Sequence, residues 1–106
     1  MATGDAPVLE TVLEMTAVSL ARTDLDAATV VLLRLAALIA VDAPPASYVM
    51  HIGAGADAGL TVDQVQDVLV TVAPVVGTAR TVSAAAKIVE ALGFAIALAE
   101  ADPDLG

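Results

Sequence analysis

The stretch SYVMHIGAGADAGLT, Ser47 to Thr61, decides how the chain is read. As a strand running into Gly53, Gly55 and Gly59, it would be a loose form of the turn that holds a dinucleotide pyrophosphate. As a helix, it is a run of small residues carrying the only histidine of the chain, His51. The dinucleotide reading needs a strand before the glycines, a helix opening at them and an acid roughly 20 residues further on. Gly59-Leu60-Thr61 restarts a helix after only a few residues, and the remainder of the chain contains no second βαβ pattern. The stretch reads as a helix.

On that helix Ser47, His51 and Gly55 recur at four-residue steps and share a face. Ser47 is placed to hydrogen-bond His51, and Gly55 leaves space beside the ring. A glycine inside a helix costs about 1 kcal/mol relative to alanine. Close packing of another helix, or a ligand, is therefore expected beside Gly53, Ala54, Gly55, Ala56 and Ala58. A Ser–His pair alone does not make a hydrolase, because no nucleophile elbow and no oxyanion donors accompany it. A single histidine without neighbouring Cys, Glu or His is poor ground for a metal site, so no metal is expected. The plainer reading of His51 is a satisfied core or interface residue.

The flanking sequence extends the helical pattern. Val8, Leu9, Val12, Leu13, Met15, Thr16 and Leu20 recur near the helical period, predicting a helix from about Pro7 to Arg22. Thr23-Asp24 ends it, and Asp26 suits the N-cap of the next. Ala27 to Ala43 is apolar on nearly every side, as in a helix buried all round, in a core or between subunits. Pro44-Pro45 stops that helix and opens a third, to about Ala58, with Gly59 in the left-handed position after it. Thr61-x-x-Gln64 is a capping-box pattern for a fourth, which meets Pro74 and ends by Gly77. A fifth runs from Thr81 to about Ala101, and the tail Asp102 to Gly106 is expected to fray. The expectation is an all-α, single-domain bundle of about five helices: an N-terminal helix over 1–24, a helical core over 25–92, and the end of the last helix with its tail over 93–106.

Composition bounds the function. The 106 residues are 58% apolar, with 24 Ala and 16 Val against one Phe, one Tyr and no Trp. Side chains this small bury little area each, so the excess of apolar residues points to burial against copies of the same chain. Thirteen acids against four bases give a net charge of −9, which argues against nucleic acid and against an anionic membrane surface. The absence of cysteine excludes disulfides, thiolate catalysis and thiolate metal sites. The longest apolar run, Ala27 to Val41, is interrupted by Arg34 and falls short of the ~20 residues of a membrane helix. Acids at Asp5 and Glu10 stand where a signal peptide carries bases. The default expectation is a cytoplasmic protein.

The order of the elements carries a resemblance. LDAATVVLLRLAALIAV, then His51-x-x-x-Gly55-x-x-x-Gly59-Leu-Thr-x-x-Gln-Val-x-Asp, then VAPVVGTARTVSAAAKIVEAL, resembles the carboxymuconolactone decarboxylase family over about Leu25 to Leu92. That broad family includes the alkylhydroperoxidase-D-like peroxidases. The resemblance implies an all-helical subunit, assembled as a homotrimer or homohexamer, with active-site pockets near subunit contacts. Its peroxidase branch would place a Cys-x-x-Cys pair at Pro44 and Ser47 and a relay glutamate near Val31. None of the three is present, and a thiol peroxidase cannot work without thiolates. Gly55 stands where the family usually has alanine, and Ala79 where many members have proline.

The decarboxylase branch, which does without the cysteine pair, is closer. Its chemistry is cofactor-free loss of carbon dioxide from an unsaturated lactone acid, with a proton delivered to the carbon skeleton. Such a reaction needs a positioned general acid and a cationic or hydrogen-bonding patch for a carboxylate. Histidine is the side-chain type suited to proton transfer near neutrality. His51 with Ser47 is therefore the candidate catalytic pair, and Tyr48 and Arg34 (or Arg80) are candidates for holding a small carboxylic acid. The plain alternatives are a core-edge Tyr48, an Arg34 ion pair between helices and a solvated Arg80. Two functions remain open: a decarboxylase-type lyase, or an inactive family member that acts through assembly or small-ligand binding.

Overall fold

The sequence pattern becomes five α-helices in a computed structural model, which describes the backbone of residues 2–101 and the side chains of residues 6–94. They are α1 (Ala2–Arg22), α2 (Ala27–Ala40), α3 (Pro45–Asp57), α4 (Val62–Val76) and α5 (Thr78–Ala101). No strand occurs among the described residues. The tail expected to fray lies outside them.

Local chemistry sets each boundary. Asp26 caps α2 by accepting from the Thr29 N–H at 2.7 Å. The helix ends three residues before the expected Ala43, because Asp42 takes a left-handed φ of 54°. The N–H groups of Asp42 and Ala43 then close back on the carbonyls of Ile39 and Leu38, at 3.2 and 3.0 Å. The same closure follows α3, where Gly59 sits at φ 86° and the Leu60 N–H reaches the Gly55 carbonyl at 2.9 Å. The capping box of α4 is complete: Gln64 N–H to Thr61 Oγ1 at 3.2 Å and Thr61 N–H to Gln64 Oε1 at 2.9 Å. Gly77, at φ 92°, turns the chain so sharply that α5 starts at Thr78 rather than Thr81. At the other end α1 begins at Ala2 rather than Pro7, so Pro7 lies inside the helix, where its missing N–H removes one backbone hydrogen bond.

Four helices form the body. α3 packs most extensively on α5, α2 lies against both α3 and α4, and α4 closes on α5. Val31, Leu35, Ile39, Tyr48, Val65, Ala84, Ile88 and Ala91 fill the space between them. Alanines at 84 and 91 let α5 come close, so the core is small and aliphatic with Tyr48 as its one aromatic. The remaining helix, α1, stands apart: every described side chain from Ala6 to Arg22 is exposed. Its link to the body is a hydrogen bond from Arg34 Nη2 to the Thr16 carbonyl at 3.2 Å.

Candidate functional site around His51

His51 lies on α3, half-buried, at a cleft of about 130 Å³. The cleft is walled by Leu35 of α2, Ile52 and Ala56 of α3, Leu60 and Val65 flanking the start of α4, and Leu92 of α5. The closure at Gly59 brings this about, because it folds Leu60 back over Gly55 and sets Thr61 near the ring. Gly55 permits the fold-back: a Cβ there would meet Leu60 Cδ1 at 3.0 Å and Val31 Cγ1 at 3.3 Å. Val31 brings α2 close beside Gly55, the approach of another helix that the small residues led us to expect, and Leu60 fills the remaining space.

The ring is oriented by the backbone. His51 Nδ1 lies 2.8 Å from the Ser47 carbonyl oxygen, and a carbonyl only accepts, so Nδ1 carries a proton. The Ser47 contact expected through its hydroxyl is made by its main chain instead. In neutral imidazole this tautomer leaves Nε2 as the lone-pair nitrogen, and Nε2 has no hydrogen-bond partner among the described residues. Thr61 and Val62 also line the cleft, so the α4 N-terminus, with the N–H groups of Val62 and Asp63 that the capping box leaves unpaired, opens on the same space.

The other candidates lie elsewhere. Tyr48 does not line the cleft; it is wholly buried, and its hydroxyl has no partner. Burial, with the negative charge of Asp42 second, raises its pKa above the ordinary value. Arg34 is held by α1 through the Thr16 carbonyl. Arg80 donates to the Ala40 carbonyl, closing the C-terminus of α2. Lys87 pairs with Asp42 at 2.8 Å, and Ser83 donates to the same oxygen at 2.9 Å. No basic residue lines the His51 cleft. A larger groove of about 480 Å³ runs between α2 and α4, but it has no histidine. No cluster of three or more His, Cys, Asp or Glu that could hold a metal occurs among the described residues, and no described helix is long and apolar enough to cross a membrane. The sequence did not single out Leu60 and Thr61 as walls of the site, although the capping box placed a helix start there.

A helical body with a single histidine beside an apolar cleft is the framework on which the sequence comparison falls. The chain matches the family model described as carboxymuconolactone decarboxylase family over residues 6–91, and it belongs to that family. The match takes in most of α1, all of α2, α3 and α4, and α5 as far as residue 91. Searches of curated proteins and of solved structures return no match.

Proposed function

We propose that the protein is a cofactor-free enzyme of decarboxylase or related proton-transfer type. Its substrate would be a small unsaturated or aromatic-derived carboxylic acid, and its assembly a homotrimer or homohexamer. His51 is the general acid/base. The observation that supports this reading is the 2.8 Å contact between Nδ1 and the Ser47 carbonyl, which orients a ring that borders the cleft and leaves Nε2 without a partner among the described residues. Protonated His51 gives the Nε2 proton to the carbon that loses carbon dioxide, the C–C bonding pair remaining on that carbon until the proton arrives. Neutral His51 then recovers a proton from water. A carboxylate that leaves as neutral carbon dioxide is helped by walls of Leu35, Leu60 and Leu92, which exclude water from it. The positive end of α4 beside the cleft supports an acid ligand. Tyr48 and Arg34 have no part in this mechanism.

One observation favours a second reading, an inactive family member that binds small ligands or serves assembly: no Arg or Lys lines the cleft. His51→Gln separates the two. General acid–base groups contribute roughly 10²–10⁴-fold in rate, so an enzyme loses activity by that order while its native mass stays the same. Full turnover of a lactone acid by the variant, or no turnover by the unaltered protein at high concentration, sinks the decarboxylase reading.

A further inference from the structure

We infer that α1 is an arm exchanged between two copies of this chain: α1 of each copy lies in the α2–α4 groove of the other. The inference rests on the homohexamer of the proposed function, since a homotrimer has no two-fold axis, and not on its chemistry. Three observations lead to it.

The first is area. The chain exposes 7106 Å², whereas folded monomers of its mass expose roughly 5,400 Å². The excess, roughly 1,700 Å², exceeds the ~800 Å² per partner of a standard interface. The radius of gyration, 14.7 Å, likewise exceeds the ~13 Å of a compact chain of this length. Among the described residues, α1 is the helix whose described side chains all stay exposed.

The second is the character of α1. At about 100° per residue, Met15, Val8, Val12, Leu9, Leu20 and Leu13 follow one another around one side of the helix. All six are about half exposed or more. Glu10 and Glu14 fall on the opposite side. Within the apolar arc, the Thr16 hydroxyl is already satisfied by the Val12 carbonyl at 2.9 Å, so covering it leaves no orphaned donor.

The third is the receiving surface. The α2–α4 groove is lined mainly by Leu32, Leu33, Ala36, Val68 and Val72, with Asp67 among its polar residues. Leu33, 55% exposed, lines both this groove and the hollow at the base of α1, where Leu25 and Val30 stand beside Ser19, Thr23 and Arg34. With its acids on the outer side, a docked α1 keeps Glu10 and Glu14 away from Asp67. No described residue of α1 lines the groove of its own chain; in that chain Arg34 donates to the Thr16 carbonyl and the Leu25 N–H to Thr23 Oγ1 at 3.2 Å in the short connection. A second copy can present the same arm, and a two-fold axis makes the exchange reciprocal.

The full chain has no cysteine, so introduced thiols report cleanly. Two versions with different tags are co-expressed, one with Ala36→Cys and the other with Cys at Leu9, Leu13 or Leu20 in turn, then oxidised. A disulfide needs Cα atoms within about 7 Å. The expected result is a covalent pair with one tag of each kind for at least one α1 position, and at least tenfold less with Glu14→Cys. Pairing between α1 cysteines alone, or no mixed pair at any position, overturns the exchange. Leu9→Gln with Leu13→Gln gives a second readout, native mass. A fall in native mass below that of the unaltered oligomer, with helicity retained, supports the arm. An unchanged oligomer overturns it and leaves the homo-oligomer standing. Unaltered protein that is 10.5 kDa at every concentration overturns both, without touching the His51 chemistry.

Discussion

The body and α1 use the same vocabulary of Leu, Val and Ala with opposite results. In the body, Leu35 and Ile39 of α2 are covered almost completely by α3, α4 and α5. In α1, Leu9 and Leu13 recur at the same helical period yet stay more than half exposed. The difference teaches that an amphipathic stripe states that a face is to be covered, not what covers it. If α1 is the exchanged arm, body stability is a property of one chain, and the stability gained by α1 depends on how many chains are present.

The largest effects should break this comparison most directly. Leu35 is 1% exposed, and truncating such a leucine costs about 2–5 kcal/mol. Leu35→Ala should therefore lower the melting temperature equally at all protein concentrations. Leu13→Ala should lower it only where copies associate, and should weaken the concentration dependence that association imposes. Thermal melts over a hundredfold dilution series separate the two. If Leu13→Ala destabilises equally at the lowest concentration, α1 belongs to the body after all.

Tyr48 sharpens the contrast between the body core and the His51 cleft. Its hydroxyl is buried without a partner, and such a group costs about 1–3 kcal/mol. Tyr48→Phe removes the group and keeps the ring, so we expect stabilisation of about 1 kcal/mol, or ~4–8 °C in melting temperature for a domain of this size. Activity should be unaffected. A loss of activity with unchanged stability would mean that the hydroxyl serves the substrate.

The fold was legible where side chains act on their own backbone. Pro44-Pro45, the Thr61 and Gln64 capping box and the left-handed Gly59 all act within a few residues, and they mark the ends of α3 and the start of α4. Asp42 was not legible in the same way: its left-handed turn stands among the Ser83 and Lys87 contacts, more than 40 residues away in sequence. His51 stood out as the one histidine, but the main-chain partner at Ser47 leaves no mark in residue type. Arg34 and Tyr48 were plausible ligands by chemistry, and tertiary packing turned one to α1 and the other into the core. The space beside Gly55 was foreseen, its occupant Leu60 was not.

The two glycines of α3 give a smaller effect. A Cβ at Gly53 meets nothing within 4 Å, so Gly53→Ala should gain up to about 1 kcal/mol of helix stability. At Gly55 the same gain is opposed by the 3.0 Å contact with Leu60 Cδ1, so Gly55→Ala should change stability little, and Gly55→Val should destabilise. Denaturant midpoints check all three. A large gain at 55 would show that Leu60 moves freely and does not define the cleft wall. No gain at 53 would place another surface against that face of α3 in the assembly.

The smallest effect concerns the acids at the two ends of α2. Asp42 lies below the ordinary carboxyl pKa, first because Lys87 and Ser83 donate to it, and Asp26 is lowered mainly by the Thr29 N–H. A carboxyl depressed in the folded state contributes stability that is complete above its unfolded value, 3.8, and is lost as pH falls through the folded value. Both should thus contribute a shallow loss of stability below about pH 4, with none on raising the pH from neutrality. Asparagine tolerates left-handed φ and still caps helices. Asp42→Asn and Asp26→Asn should each flatten the acid limb of melting temperature against pH while keeping the local backbone. The effect at 42 should fall with added salt because Lys87 is its partner; the effect at 26, a hydrogen bond at a helix end, should fall less. Equal salt dependence at both would place the stabilisation in the general field of an acidic chain rather than in the Asp42–Lys87 pair.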